Sequence, residues 1–449
     1  MHRVMRYIWI GLLCMGCISS FAEARPDTTF YSVKDYGAKG DGRTDDQQPI
    51  LNCLKAAAAH PGIVVVRIPY GTYLVQGSLK IVVTGCDSLV IRGYPRGGKL
   101  PLLKTTSFIT LLDISSPSLA PNKKISVENL ALKGNNPPFS SAHPYFDKGA
   151  FTAGLRISNM KMASVQGNQI SDFYGEGIFI GYAGVGGLSH RFDHIEVANN
   201  EVLDCWGLHP TKSPTGGFDD YGDGIYIGNV ATGNILNNKI INNLSVTKQI
   251  GRAGLVLEYN DEDCLVSSNY ISGYDRDIHL EGDVGGHIIA HNTLEGTDFG
   301  ILVFDTPTDR SKPIKIIDNT ITNKGFPRAN HYMLIRNSQE RCLLSFYAKG
   351  ECRDGSEIID NHFVIYPQYA YKFSYIARFI ANGLAIKGNT FICKLSPGIR
   401  KTVFFNAVID TLSGNTFDNV DLQVAKNYRG KVIQGNKVTG KVNTPISIQ

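Results

Sequence analysis

Val165-Gln-Gly-Asn168-Gln-Ile170, Val197-Ala-Asn-Asn200-Glu-Val202, Ile235-Leu-Asn-Asn238-Lys-Ile240 and Val266-Ser-Ser-Asn269-Tyr-Ile271 are copies of one short pattern. It continues in Ile289-Ala-His-Asn292-Thr-Leu294, Ile316-Ile-Asp-Asn319-Thr-Ile321 and Ile359-Asp-Asn361-His-Phe363. Three more copies follow, Ile386-Lys-Gly-Asn389-Thr-Phe391, Leu412-Ser-Gly-Asn415-Thr-Phe417 and Ile433-Gln-Gly-Asn436-Lys-Val438. Successive asparagines stand 32, 38, 31, 23, 27, 42, 28, 26 and 21 residues apart. An apolar, often β-branched residue, a turn asparagine and a second apolar residue read as strand, bend and strand. Repetition near a basal period of 21 to 28 residues is one coil of a solenoid. Asparagine tolerates left-handed backbone and bonds locally, so it suits the corner of each coil, where stacked copies can also bond along the axis. The expected fold is all-β, a right-handed parallel β-helix.

A solenoid lengthens its core along an axis, so 449 residues need not divide into the two or three domains usual for that length. One elongated domain is expected over 25–449. Forty-seven glycines and 19% charged residues fit many tight turns around buried strands. Apolar runs such as Gly62-Ile-Val-Val-Val-Arg-Ile68 are too short to span a membrane.

Residues 1–24 read as a signal peptide: Arg3 and Arg6 precede the apolar stretch Tyr7 to Cys14, and Ala22-Glu23-Ala24 offers a small-residue cleavage site. The expected product is secreted or periplasmic, with lipoprotein anchoring through Gly16-Cys17 as the alternative. Export would leave a formal charge of about +4, scattered along the chain, which is no nucleic-acid footprint. The seven remaining cysteines are dispersed and odd in number, so no disulfide scaffold is expected. Cys342 and Cys352 bracket a polar excursion and could staple it; most of the others read as small core residues. No zinc-type spacing occurs, and no metal ligand set is assigned.

Towards the N-terminus, Gly37, Gly40 and Gly42 make a tight loop, and Thr44, Asp45 and Asp46 can cap a helix from Gln47 to Ala59, with Pro49 in its first turn. Val64, Val66 and Ile68 form the next strand. The helix is expected to lie across the first coil, because an open solenoid end exposes apolar surface and strand edges. This opening segment, 25–75, resembles that of the pectate-lyase superfamily, in particular its polygalacturonase- and rhamnogalacturonase-like members and phage tailspike relatives. The matching residues are Val33-Lys34-Asp35-Tyr36-Gly37-Ala38, Gly40-Asp41-Gly42, Thr44-Asp45-Asp46 and Ile68-Pro69-Tyr70-Gly71-Thr72-Tyr73, about one tenth of the chain. The resemblance implies a right-handed β-helix acting on carbohydrate. Hydrolases, lyases and epimerases share the segment, so it does not choose among them. Its aspartates read as capping and turn residues.

A second template, x-Gly-(Ile/Leu)-x-(Ile/Leu/Val), occurs at Ala153, Glu176, Asp223, Ala253 and Phe299, and without its glycine at Arg276. Alternation puts the paired aliphatics inward and the residue between them outward. One outward column is then Arg156, Phe179, Tyr226, Val256, His279 and Leu302. A flanking column is Ala153, Glu176, Asp223, Ala253, Arg276 and Phe299, and a third includes Glu258 and Glu281. Coils are about 4.8 Å apart, so Glu176 comes beside Asp223 and Glu258 beside Glu281. Excursions at 181–194, 206–222 and 304–312 can wall a groove.

Glycoside cleavage needs one protonated carboxyl and one ionised one, and two close carboxyls divide those roles by pushing one pKa up. Asp223, Glu176 and Asp220 are the catalytic candidates, with His279. Tyr226, Arg276, Glu258, Glu281, Trp206 and His209 are the candidates for binding substrate. In the polygalacturonase family, catalytic aspartates stand on successive coils in Asn-Thr-Asp and Gly-Asp-Asp settings, followed by Gly-His-Gly and Arg-Ile-Lys. Here Tyr174-Gly-Glu176 and Gly222-Asp223-Gly224 replace the first two, and the last two do not appear in that form. The expected function is therefore an enzyme on a polysaccharide or oligosaccharide, first as a hydrolase needing no cofactor. The alternatives are a lyase or epimerase on uronates, with Arg276 or Lys248 as base and calcium possible through Asp261, Glu262 and Asp263, or a non-catalytic glycan-binding scaffold. Both monomer and homotrimer stay open.

Overall fold

The computed structural model describes residues 28–117, 123–136, 152–182, 190–212, 218–243, 252–296, 298–305, 311–324, 341–348, 353–367, 370, 373–406, 408–425 and 428–443. The signal-peptide segment, Cys17, Lys248 and Cys352 lie outside them. Within them, strands build three long sheets of 14, 14 and 13 strands, every adjacent pair parallel. One coil runs Met162–Gln166 in the first sheet, Gln169–Ser171 in the second and Glu176–Gly181 in the third, then returns to the first at His194–Ala198. The chain is a right-handed parallel β-helix.

Its core is a single tube. Leu155, Ile157, Ile178, Ile180, Ile225, Ile227, Leu255, Leu257, Ile278 and Leu280 are inaccessible to solvent, as the alternation requires. Phe363, Phe391 and Phe417 stack on successive rungs at 4.8 and 5.0 Å between centroids.

The ten repeated asparagines form an unbroken ladder inside the corner between the first two sheets. Each backbone N–H and each Nδ2 donates to Oδ1 of the next rung: Asn168 to Asn200 at 3.0 Å by both groups, and so on to Asn415 on Asn436. The same Nδ2 also donates to a carbonyl of the preceding coil, as Asn292 does to Val266 at 3.0 Å. The corner departs from expectation in one respect. The left-handed residue is not the asparagine but the one before it, with φ between 50° and 66° at Gly167, Asn199, Asn237, Ser268, His291, Asp318, Asp360, Gly388, Gly414 and Gly435. Glycine, asparagine, aspartate, serine and one histidine fill that position because it tolerates few others; the asparagine after it is kept for its amide.

The helix Gln47–Ala59 buries Ile50, Cys53, Leu54, Ala57 and Ala58, a helical stripe, against the first strand of the third sheet, Leu79–Val82. It closes that end of the tube. Asp46 does not cap it by side chain. Its carboxylate instead accepts from the amides of Lys39 and Gly40 at 2.5 and 2.8 Å, pinning the glycine loop, while Asp45 accepts from Gln47 N–H at 3.0 Å. Cys53, Cys86, Cys205, Cys264 and Cys393 are buried thiols, and burial pushes Cys53 up to about 12. No helix among the described residues is long and apolar enough to cross a membrane.

Candidate active site

The outward face of the third sheet carries the columns expected from alternation. Pairing in register joins Arg156 to Phe179, Phe179 to Tyr226, Tyr226 to Val256, Val256 to His279 and His279 to Leu302. A parallel column runs Glu258, Glu281, Phe304 and Tyr347. Glu176 and Asp223 occupy adjacent rungs, tied by the Gly177 amide donating to the Asp223 carbonyl at 2.9 Å.

Strict alternation from Ile178 and Ile225 would have turned Glu176 and Asp223 inward. The glycine after each of them prevents this. A Cβ on Gly154, Gly177, Gly224, Gly254 or Gly300 would stand 2.7, 2.4, 2.3, 2.2 or 2.3 Å from a branch methyl of Ile170, Val202, Ile240, Ile271 or Ile321. The glycine thus takes the inward place at a bend, and the preceding side chain is free to join the outer face.

Arg252, one residue before the strand Ala253–Glu258, organises the site. Its Nε and Nη2 donate to the Asp223 carboxylate at 3.2 and 3.0 Å, and the Ala253 amide donates to Asp223 Oδ1 at 2.9 Å. The same Nη2 lies 2.9 Å from Glu258 Oε1, a close ion contact without hydrogen-bond alignment. One nitrogen touching both carboxylates puts them within about 6 Å of each other, close enough to act on a single glycosidic bond. Arg252 was not among the residues singled out from sequence. The signal for it is an arginine beside Ala253, whose small side chain leaves the flanking column open opposite Asp223.

Burial first, then the charge of Asp223, lifts the Glu176 carboxyl to about 8, and its Oε2 has no hydrogen-bond partner. Burial also raises Glu258, against the pull of Arg252. Arg252 itself is opposed by burial yet held well above the ordinary range by Asp223 and Glu258. Tyr226 is raised by burial and by Glu258, and its ring stacks on Phe179 at 4.8 Å.

His279 sits between two partners. Arg276 Nη1, a donor only, lies 2.7 Å from Nδ1, so Nδ1 accepts and the proton rides on Nε2, 3.0 Å from Glu281 Oε2. Burial and the Arg276 charge depress His279 to about 4, and the hydrogen bond from His279 lowers Glu281. Ligand-type atoms of Glu258, His279 and Glu281 lie within 4.8 Å of one another, a grouping the outward columns lead to, though no metal was assigned to it. These residues fit a cation poorly. The nitrogen facing the acids carries a proton, its tautomer is fixed by Arg276, and the charge of Arg252 is already paired with Glu258. The arrangement is a hydrogen-bond relay.

Other candidates fall differently. Trp206 is 3% exposed, packed against Tyr174 at 5.4 Å, so it is core and not a sugar platform. Arg276 is also buried, at 3%, and is no solvent-facing base. Asp220 and His209 lie on a two-stranded antiparallel hairpin, Gly207–Lys212 with Phe218–Tyr221, that interrupts the coil; their side chains lie outside the described residues. The Asp261-Glu262-Asp263 run is spent on a corner: Asp261 accepts from the Val230 amide, Glu262 pairs with Arg191 and Lys312, and Asp263 with Lys312.

Residues 30–130 match the family model described as rhamnogalacturonase A/epimerase, pectate lyase-like. The Dettilon tailspike protein is 14% identical, covering 90% of this chain and 68% of its own, with a TM-score of 0.51. The A-module of the mannuronan C-5 epimerase AlgE4 of Azotobacter vinelandii is 12% identical over 93% and 98% of the two chains, TM-score 0.51. DFA-IIIase from Arthrobacter chlorophenolicus A6 is 12% identical over 92% and 99%, TM-score 0.50. Among curated proteins, plasmin and fibronectin-binding protein A of Streptococcus pneumoniae is 52% identical over 50 residues, 11% of this chain and 7% of that protein. The non-secreted LysM effector LysM19 of Penicillium expansum is 49% identical over 49 residues, 11% and 4% of the two. The chain thus spans under a tenth of these curated relatives, and the likeness to solved structures is one of fold.

Proposed function

We propose that this chain is a glycan-cleaving enzyme that hydrolyses a glycosidic bond over the third sheet. Glu176 is the acid and the Asp223 carboxylate, held by Arg252, is its ionised partner. The observation that carries this reading is the contrast between the two carboxyls. One is buried, short of hydrogen bonds and raised to about 8; its neighbour accepts two guanidinium bonds and an amide bond. A carboxyl protonated at neutral pH can give its proton to the leaving oxygen, while the ionised one serves as nucleophile or as base towards water. The epimerase and DFA-IIIase names among proteins of this fold support a carbohydrate substrate. Hydrolysis is favoured over elimination because the Arg276 guanidinium is already engaged, by His279 at 2.7 Å and Asp275 at 3.6 Å, whereas the two carboxyls divide the acid and base roles. Action on a polysaccharide also fits an exported protein, which N-terminal sequencing of the mature chain would test.

Purified protein should release reducing ends from at least one glycan of a broad panel. Glu176→Gln and Asp223→Asn should each lower the rate by a hundredfold or more, with an unchanged far-UV spectrum. Full activity in both variants would remove the pair from the mechanism. Absorbance from an unsaturated product in the wild type would replace hydrolysis by elimination.

A further inference from the structure

Resting on this reading of the site, we infer that the sugar it takes is uncharged: the face from Glu258 to Tyr347 is built for a neutral glycan and excludes uronates. The column in question reads Glu258, Glu281, Phe304, Tyr347, each paired in register with the next. Glu281 has 47% of its side chain exposed and faces the approach to the buried acids. Beyond it Phe304 is 40% exposed and stacks on Tyr347 at 5.3 Å. The adjacent column contributes His279, Leu302 and Ser345 over the same rungs. Carboxylates and apolar carbon therefore make this surface.

The cations of these four rungs are already committed, and the half-buried Arg378, paired with Ser345 one rung further along, stands over the Tyr375 ring. Arg252 is engaged by Asp223 and Glu258, Arg276 is buried on His279, and His279 carries no charge near neutrality. Arg156 stands over Phe179, three rungs from Glu258 and four from Glu281. Among the described residues of these rungs, no guanidinium or ammonium is presented to solvent beside Glu281. A uronate carboxylate there would face Glu281 and Glu258 with its charge uncompensated. Hydroxyls of a neutral sugar would instead donate to those carboxylates, and ring C–H faces would meet Phe304. Such a mixture of apolar surface and a few placed acceptors is typical of small-sugar sites.

The test separates binding from turnover. The full chain is run by affinity electrophoresis in gels holding neutral glycans (β-glucan, arabinan, galactan, α-1,3-glucan) or uronate polymers (polygalacturonate, alginate) at low ionic strength. At least one neutral glycan should retard it tenfold more, per unit polymer, than any uronate. Phe304→Ala should reduce that retardation at least fivefold. Glu281→Lys should weaken neutral binding and add retardation by a uronate polymer. Stronger retardation by a uronate, or by neither class, overturns the inference. Neutral-selective retardation without release of reducing ends upholds it and sinks the hydrolase reading alone.

Discussion

The guanidinium of Arg252 grips the Asp223 carboxylate on two edges, Nε at 3.2 Å and Nη2 at 3.0 Å. With 18% of the Arg252 side chain and 2% of that of Asp223 exposed, water cannot replace the contact. Removing the cation would strand Asp223 and Glu258 beside Glu176. Arg252→Met should cost about 3–5 kcal/mol, the usual penalty for breaking a buried pair from one side. Adding Asp223→Asn and Glu258→Gln to Arg252→Met should recover most of it, because the stranded charges go too. Thermal unfolding of the single and triple variants at pH 7 checks this; equal losses in both would show that the guanidinium acts by packing alone.

Glu176 gives the site its alkaline limit. A carboxyl raised from the ordinary value to about 8 keeps its proton in the folded chain where the unfolded chain has lost it. Between roughly pH 4.5 and 8 the folded state therefore binds more protons, and its stability falls as pH rises through that window. Glu176→Gln mimics the protonated form. Its Tm should match wild type at pH 5 and exceed it at pH 9, while wild-type turnover declines with an apparent pKa near 8. A Tm difference independent of pH would contradict the assignment of the shift to Glu176.

His279 has the opposite sense. Its pKa is depressed to about 4, so its neutral form is favoured on folding. That stability is present above the unfolded value of about 6.5 and lost as pH falls towards 4. Nitrogen-15 NMR of histidine-labelled protein should show one neutral imidazole with the proton on Nε2 from pH 8 to pH 5. Adding zinc should leave its shifts in place, since that proton and Arg276 occupy both ring nitrogens. Loss of the Nε2 proton on titration with zinc would turn the relay into a metal centre.

Much of this was legible because the solenoid is periodic. Asn168 through Asn436 announced the coil, and the aliphatic pairs gave the register that brings Tyr226 and His279 onto one face. Three things were not legible. Arg252 belongs to neither template, and only folding shows its side chain crossing back to Asp223. Trp206 looked like a sugar platform because an excursion follows it, yet it packs on Tyr174 before the chain leaves the coil. The local role of Asp46 was mistaken because its partners, Lys39 and Gly40, precede it, whereas a capping acid bonds to amides that follow.

The asparagine ladder should be strongest in its middle. Oδ1 of Asn292 accepts from the Asn269 amide at 2.9 Å and from Asn269 Nδ2 at 3.0 Å, all buried. Asn292→Ala leaves the Asn269 amide unpaired, Asn269 Nδ2 with only the Ile235 carbonyl, and the Val266 carbonyl without its side-chain donor, at about 1–3 kcal/mol for a buried group left unsatisfied. Asn436 is 8% exposed and ends the ladder, so water can serve the groups freed there. Asn436→Ala should cost about 1 kcal/mol, several-fold less than Asn292→Ala. Similar Tm losses for the two would mean that the amides do not act as a chain.

One coil breaks the glycine rule, and the break is matched across the tube. Asp277 stands where neighbouring rungs have Gly254 and Gly300, is inaccessible, and its carboxyl has no hydrogen-bond partner; burial raises its pKa well above the ordinary range. The residue opposite those glycines is Ile271 or Ile321, whose branch methyl a Cβ would strike at 2.2 or 2.3 Å. On the Asp277 rung it is Leu294, in register between those two isoleucines. Leucine has no methyl on Cβ, which leaves room for the aspartate. Leu294→Ile should therefore cost about 1–3 kcal/mol by overpacking in the wild type. In the Asp277→Gly background it should cost much less, because that pair restores the arrangement of the adjacent coils. A double-mutant cycle on Tm reads the coupling directly. Equal cost of Leu294→Ile in both backgrounds would show that Asp277 owes its place to something other than the missing methyl.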